Sequence, residues 1–325
     1  MPELIVVVPA YNEAAGLNDF HVRLAAVLDQ LDLATGVLYV DDGSRDATWD
    51  AITRLTATDA RVDALRLSRN FGKEAAMSAG LDHADADAVI VIDADLQDPP
   101  ELIPELVAQW RAGYDVVYAT RETRAGESRF KRFTAAAFYR AMERLSDTPI
   151  PRDTGDFRLL SRRAVAALRE LRERQRFMKG LFAWIGYAQT SVRYHRDARA
   201  AGSSKWSYWR LWNFAVDGIT SFSAAPLRLA TWLGLGTAGL AFVYGIYVFI
   251  KALVWGDPVR GYPTLMLVIL LLGGVQLLAL GVIGEYLGRL YTESKQRPLY
   301  FVQARCHAPV DADATDDSHQ PPLPR

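Results

Sequence analysis

Val89-Ile90-Val91-Ile92-Asp93-Ala94-Asp95-Leu96-Gln97-Asp98 is an apolar β-type run that stops at two carboxylates, Asp93 and Asp95, one residue apart. A strand tip carrying such a pair suits a hard divalent cation, Mg2+ or Mn2+. That ion takes one or two protein carboxylates and completes its shell with water and phosphate oxygens. So bound, it grips a diphosphate. The spacing alone also leaves open a plain strand followed by an acidic turn.

Outward from this run, apolar and amphipathic segments alternate. Strands are expected at Leu4 to Val8, Val37 to Val40, Val62 to Leu67, Val89 to Ile92 and Val116 to Ala119. Helices are expected at Glu13 to Leu31, Thr48 to Thr58, Lys73 to Ala84 and Pro100 to Ala112. This alternation predicts a Rossmann-like α/β domain, a mainly parallel sheet with helices on both faces and ligands outside the carboxyl ends of its strands.

The other polar motifs fall at those ends. In Pro9-Ala10-Tyr11-Asn12-Glu13, Pro9 stops the first strand and Asn12 caps the next helix. Tyr11 can stack on a base and Glu13 can accept from a ring N–H or a ribose hydroxyl; a capped turn and nothing more is the alternative. Asp41 and Asp42 repel unless hydrogen bonds from a base, ribose or backbone offset their charge, or an Asx turn forms before Gly43. Lys73 opens a helix after Asn70-Phe71-Gly72, where it attracts phosphate beside the helix dipole or stands solvated. Neither a dinucleotide-binding glycine fingerprint nor a P-loop is present.

With 325 residues and a net charge of −1, the chain has no global basic field for nucleic acid. Acids crowd the first hundred residues, whereas Arg and Lys dominate from Arg121 to Arg228 and suit an anionic surface or substrate. The single cysteine, Cys306, builds no disulfide framework and points to a reducing compartment. The run Leu4 to Val8 is too short for a signal-peptide core.

Leu229 to Ile250 and Gly261 to Gly284 are uncharged stretches of 22 and 24 residues, each long enough to cross a bilayer as a helix. Two buried helices of a large soluble domain are the alternative. Lys205, Arg210 and Arg228 precede the first span and Arg289, Lys295, Arg297 and Arg305 follow the second, against only Lys251 and Arg260 between them. The positive-inside rule then places both ends in the cytoplasm and makes the chain a multi-pass protein of the inner, cytoplasmic membrane. The expected organisation is a cytoplasmic α/β domain at 1–200, an interfacial region at 201–226, spans at 227–254 and 262–288, a cytoplasmic extension at 289–305 and a disordered Asp- and Pro-rich tail at 306–325.

Phe130 to Leu145 sets Phe130, Phe133 and Phe138 against Lys131, Arg132, Arg140 and Arg144, the pattern of an amphipathic interfacial helix. Trp206, Trp209 and Trp212 recur at helical spacing between Ser203 and Phe222, fit for the headgroup level or for core packing. Glycines in both spans permit close packing within one chain or in a homo-oligomer.

Taken in order, Pro-Ala-Tyr-Asn-Glu, Val-Asp-Asp-Gly-Ser, Arg-Asn-Phe-Gly-Lys and Asp-Ala-Asp-Leu-Gln-Asp-Pro-Pro resemble the inverting family 2 glycosyltransferases of GT-A fold. Asp153-Thr154-Gly155-Asp156-Phe157-Arg158-Leu159 and Arg199-Ala200-Ala201-Gly202-Ser203-Ser204-Lys205 narrow the resemblance to the polyprenyl-phosphate branch, over about residues 4 to 300. The resemblance implies that Pro9, Tyr11, Glu13, Val40 and Asp42 hold the nucleoside and that Asp93, Ala94 and Asp95 line the diphosphate. Asp93 and Asp95 would bind Mg2+ or Mn2+ with Gln97 close by, and Lys73, Arg121, Arg199 and Lys205 would meet phosphate. Asp156 would lie beneath the anomeric carbon, although a turn at Gly155-Asp156 that caps a helix is the bland alternative.

On this reading a hexose, glucose from UDP-glucose by family likeness, passes to a polyprenyl phosphate, undecaprenyl phosphate by the same likeness, held in the membrane. A phosphate monoester is already largely dianionic at neutral pH, so Asp156 is either a base or an orienting, charge-stabilising acid. Other donors, a GDP-linked mannose or a modified pentose, fit the same motifs. A processive polysaccharide synthase is disfavoured, because Gln175-Arg176-Phe177 only echoes the Gln-x-x-Arg-Trp of that class. The intact acids speak against a non-enzymatic sensor or scaffold.

Overall fold

The computed structural model describes residues 2–121, 154–174, 176–194, 225–255 and 261–307. Strands β1 (Leu4–Ala10), β2 (Thr35–Asp41), β3 (Val62–Leu67) and β4 (Ala88–Val91) alternate with helices α1 (Leu17–Leu28), α2 (Thr48–Thr58) and α3 (Lys73–His83). A 3₁₀ turn at Pro100–Leu102 and α4 (Ile103–Arg111) lead into β5 (Val116–Arg121). Then come β6 (Thr154–Ser161), α5 (Arg162–Glu170), α6 (Met178–Trp184) and β7 (Gln189–Tyr194). Two long helices, α7 (Ala225–Trp255) and α8 (Tyr262–Ser294), precede the last strand, β8 (Val302–Cys306).

One eight-stranded sheet results, in the order β7-β5-β6-β4-β1-β2-β3-β8. Its centre is parallel, β4-β1-β2-β3, as the alternation predicts. Strand β6 runs antiparallel between β4 and β5, and β8 antiparallel along β3. Side-chain alternation separates two apolar layers. Leu4, Val6 and Val8 pack with Phe20, Leu24, Ile52 and Leu106 from α1, α2 and α4. Val7, Val40 and Val91 pack with Met77, Leu168 and Phe182 from α3, α5 and α6.

Local competition for hydrogen bonds moves several boundaries. Glu13 does not open α1, which begins at Leu17 with Gly16 at its N-cap position. The Asn12 and Glu13 N–H groups instead donate to Ser44 Oγ at 3.0 Å and Thr48 Oγ1 at 2.9 Å. Asn12 therefore caps no helix. Its backbone is left-handed, with φ 56°, and its side-chain oxygen accepts from the Arg45 N–H at 2.9 Å.

Two larger differences concern elements that the periodicity does not show. Gly155-Asp156 is not a helix-capping turn, since both residues lie in β6. Cys306, where the disordered tail is expected to begin, closes β8, which completes the edge of the sheet beyond β3. That sheet thus draws strands from both sides of the apolar hairpin. The amphipathic segment at 130–145 and the tryptophan-bearing segment at 203–222 lie outside the described residues.

Helices α7 and α8 pack against one another. Their apolar side chains face outward: Leu240 is 74% exposed and Leu277 is 71% exposed. Helices buried in a soluble domain would hide such residues; these two are instead long, apolar and exposed enough to be candidate membrane spans. The far end of α8 returns to the α/β domain, where Glu293 Oε2 accepts from the Arg174 N–H at 2.9 Å, and beyond the helix Tyr300 donates to Asp82 at 2.9 Å.

Candidate active site

Strand register creates the site. β6 lies antiparallel to β4 with Val91 opposite Arg158. Continued two residues past the end of β4, that register sets Asp93 opposite Asp156. Between them stands Lys73, whose Nζ lies 2.7 Å from both carboxylate oxygens of Asp93 and 2.5 Å from Asp156 Oδ2.

Lys73 is placed by a loop that Asp42 holds. The buried Asp42 carboxylate accepts from the Phe71 N–H at 2.8 Å and the Gly72 N–H at 2.9 Å, one bond to each oxygen. Asp41 forms the Asx turn instead, accepting from the Ser44 N–H at 3.0 Å, with Arg66 beside its other oxygen at 3.3 Å. The adjacent acids are thus held largely by backbone donors. Gly43, at φ 66°, makes the contact between the two loops; a Cβ there would stand 2.5 Å from the Arg69 carbonyl carbon. Gly43→Ala should therefore destabilise the fold by about 1–3 kcal/mol, through the strained φ and the backbone clash. Thermal unfolding checks this, and an unchanged melting temperature contradicts it.

Electrostatics separates the acids. Burial raises the pKa of Asp156, yet the charges of Lys73 and Lys179 outweigh it and hold the group at about 2. Asp93 is pushed up to about 6, by burial first and then by Asp156 and Asp95 against the pull of Lys73. Glu13 is raised by burial and by the nearby Asp95 and Asp93. Glu74, next to Lys73, is raised to about 7 by burial and by Asp156, although it accepts from the Met178 N–H.

This surplus of acids calls for a cation. Among the described residues no three acidic, His or Cys side chains close around one point. A cation here would take one or two carboxylates and leave coordination sites for water and phosphate, the habit of Mg2+ and of comparable hard ions. Asp95 is exposed on the turn after β4; its Oδ1 accepts from the Gln97 N–H at 3.1 Å and its second oxygen is not tied to that turn. The residues present therefore fit a hard divalent ion.

The other expected residues divide. Tyr11, 38% exposed, directly follows the last residue of β1. Pro9, Ala94 and Gln97 are buried along the same edge of the sheet. The Val40 side chain is turned into the core against α3, because strand alternation sends it to the face opposite its neighbours. Any nucleoside contact at Val40 falls to its main chain. Arg121 ends β5, and Arg199 and Lys205 lie outside the described residues.

Five residues of this region carry no assigned role in the sequence reading. Arg158 is buried beneath Asp156, its guanidinium 3.7 Å from the Phe182 ring and donating to the Gly155 carbonyl at 2.9 Å. Lys179 and Glu74 bring further charge to Asp156. Tyr194 donates to Asp98, tying the acidic turn to β7. Arg158 and Asp98 stood inside quoted motifs, but Lys179 and Glu74 carry no local signature.

The glycosyl transferase family 2 model matches residues 5–169, and a GtrB C-terminal hairpin model matches residues 225–290. The chain belongs to glycosyltransferase family 2. It is 52% identical over 300 residues to an uncharacterized glycosyltransferase of Synechocystis sp., covering 92% of this chain and 94% of that protein. It is 47% identical over 301 residues to the bactoprenol glucosyl transferase of Shigella phage SfV, covering 93% of this chain and 98% of that protein. Among solved structures, glucosyl-3-phosphoglycerate synthase from Mycobacterium tuberculosis overlays with a TM-score of 0.45 at 19% identity, over 67% of this chain and 78% of that one. This glycosyltransferase has the GT-A α/β architecture and a C-terminal hairpin that associates it with a membrane.

Proposed function

We propose that this glycosyltransferase moves a glucosyl group from a nucleotide sugar, UDP-glucose, to a polyprenyl phosphate, undecaprenyl phosphate, with inversion at the anomeric carbon and at the cytoplasmic face of the membrane. The observation that carries the reading is Asp93 facing Asp156 across the β4–β6 register, at the sheet edge where α/β folds bind ligands. The name of the phage relative supports glucose and a lipid carrier. The outward-facing apolar hairpin supports an acceptor that stays in the bilayer.

Asp93 and Asp95 would hold Mg2+ or Mn2+, which supplies Lewis-acid neutralisation of charge on the departing diphosphate. Lys73 offers an ammonium at the N-terminus of α3, where the helix dipole also favours phosphate. Tyr11, Glu13 and the Asp42-held loop frame the nucleoside side of the cleft, and Arg121, Arg199 and Lys205 are assigned to phosphate. Asp156, ionised in the free enzyme, is poorly matched to proton abstraction and well matched to stabilising positive charge at the anomeric carbon. The dianionic acceptor needs no base.

A panel of radiolabelled nucleotide sugars incubated with purified protein and a short polyprenyl phosphate tests the proposal. Label from UDP-glucose should become lipid-extractable, with α-linked donor giving β-linked product. Label from GDP-mannose or a pentose donor instead would remove the glucose assignment, and transfer to a water-soluble acceptor alone would remove the lipid one.

A further inference from the structure

Lys73 touches both carboxylates of the facing pair: Asp93 through both oxygens at 2.7 Å and Asp156 at 2.5 Å. Its side chain is 42% exposed and reaches solvent. A lysine is a compact charge on a flexible stem with three rotatable donors, so it can exchange partners without moving the helix that carries it. The helix itself is fixed, because Asp42 holds the Phe71 and Gly72 amides at its N-terminus.

A divalent ion on Asp93 needs the oxygens that Lys73 now engages. Two cations a few ångströms apart at one carboxylate repel strongly in a partly buried cleft. The ammonium and the ion therefore compete for Asp93, and a diphosphate offers the displaced ammonium a new anionic partner beside the α3 N-terminus. We propose that Lys73 is a movable latch, which pairs with Asp93 and Asp156 until a divalent ion and a diphosphate arrive together and which then transfers to the diphosphate. The inference rests on the reading of Asp93 as a metal ligand.

Two consequences follow from linkage. The ion alone binds weakly because it must displace Lys73, and the diphosphate strengthens it by the same factor by which the ion strengthens the diphosphate. Asp156 loses its bridge in the same exchange, so its charge turns toward the sugar only once the donor is in place. A fixed lysine serving only phosphate would produce neither effect.

The test uses the full chain in detergent at about pH 8, where exposed carboxylates are ionised. Free Mn2+ is measured by electron paramagnetic resonance during titration, without nucleotide. Lys73→Met should bind Mn2+ about tenfold or more tighter than the wild type, the scale expected for losing a competing charge-assisted contact. Lys73→Gln should behave likewise, Lys73→Arg should stay near the wild type, and adding Asp93→Asn should weaken binding in every background. Mn2+ should also raise the melting temperature of Lys73→Met more than that of the wild type, which reports at once on folding and on binding. Equal Mn2+ affinity in wild type and Lys73→Met, both weakened by Asp93→Asn, overturns the latch and leaves the metal reading standing. Mn2+ binding that ignores Asp93→Asn in every background overturns both.

Discussion

Asp156→Asn is expected to lower kcat about a thousandfold while leaving the affinity for the nucleotide nearly unchanged, the loss typical of removing one well-placed polar group from a transition state. The substitution keeps shape and removes charge. What it takes away is the anion that the strand register sets opposite Asp93 and that Lys73 bridges. The pH profile of the wild type separates the two roles open to this acid. In the free enzyme Lys73 and Lys179 hold Asp156 at about 2, so it adds no acidic limb above about pH 4 to kcat/KM, the parameter that reports the free enzyme. An acidic limb from acceptor protonation, near pH 6 for a phosphate monoester, should persist. Were Asp156 a general base, the rate would fall through a limb of its own near neutrality. Steady-state kinetics with nucleotide-binding measurements decide this, and a kcat within about threefold of the wild type would remove Asp156 from the chemistry.

Removing the divalent ion is expected to have an effect at least as large. Chelation with EDTA, or Asp95→Ala, should reduce lipid-linked product by more than about a thousandfold, since charge neutralisation at the leaving group supplies much of the rate in transfer from a diphosphate. Asp95 is the cleaner site for substitution. It stands exposed on the turn after β4, with one oxygen on the Gln97 N–H, and holds up no part of the core. Its loss should change the unfolding free energy by no more than about 0.5 kcal/mol. Restored turnover on adding back Mg2+ or Mn2+ to the wild type completes the test. Full activity in EDTA, or in Asp95→Ala, would contradict the metal assignment.

The central sheet was legible in the chain because each buried parallel strand is a short apolar run between helical segments, and both periods are local. The membrane hairpin was legible for the same reason, since twenty or more uncharged residues allow few other fates. Local competition was not legible: Asn12 spent its hydrogen bonds on Ser44 and Arg45, and α1 began only at Leu17. Strand β8 was missed because Val302–Cys306 alternates apolar and polar residues for too short a length to stand out from a polar tail, and only the edge of β3 gives it a partner.

By itself the sequence determined which residues carry charge at the strand tips: the Asp93–Asp95 pair, Asp42, Glu13, Lys73 and Asp156. Only the tertiary structure decided how they meet. Asp93 and Asp156 face each other because β6 enters the sheet antiparallel to β4, and Lys73 joins them because Asp42 holds the loop at the head of α3. Distances between segments far apart in the chain are set by packing and register. No local pattern encodes them.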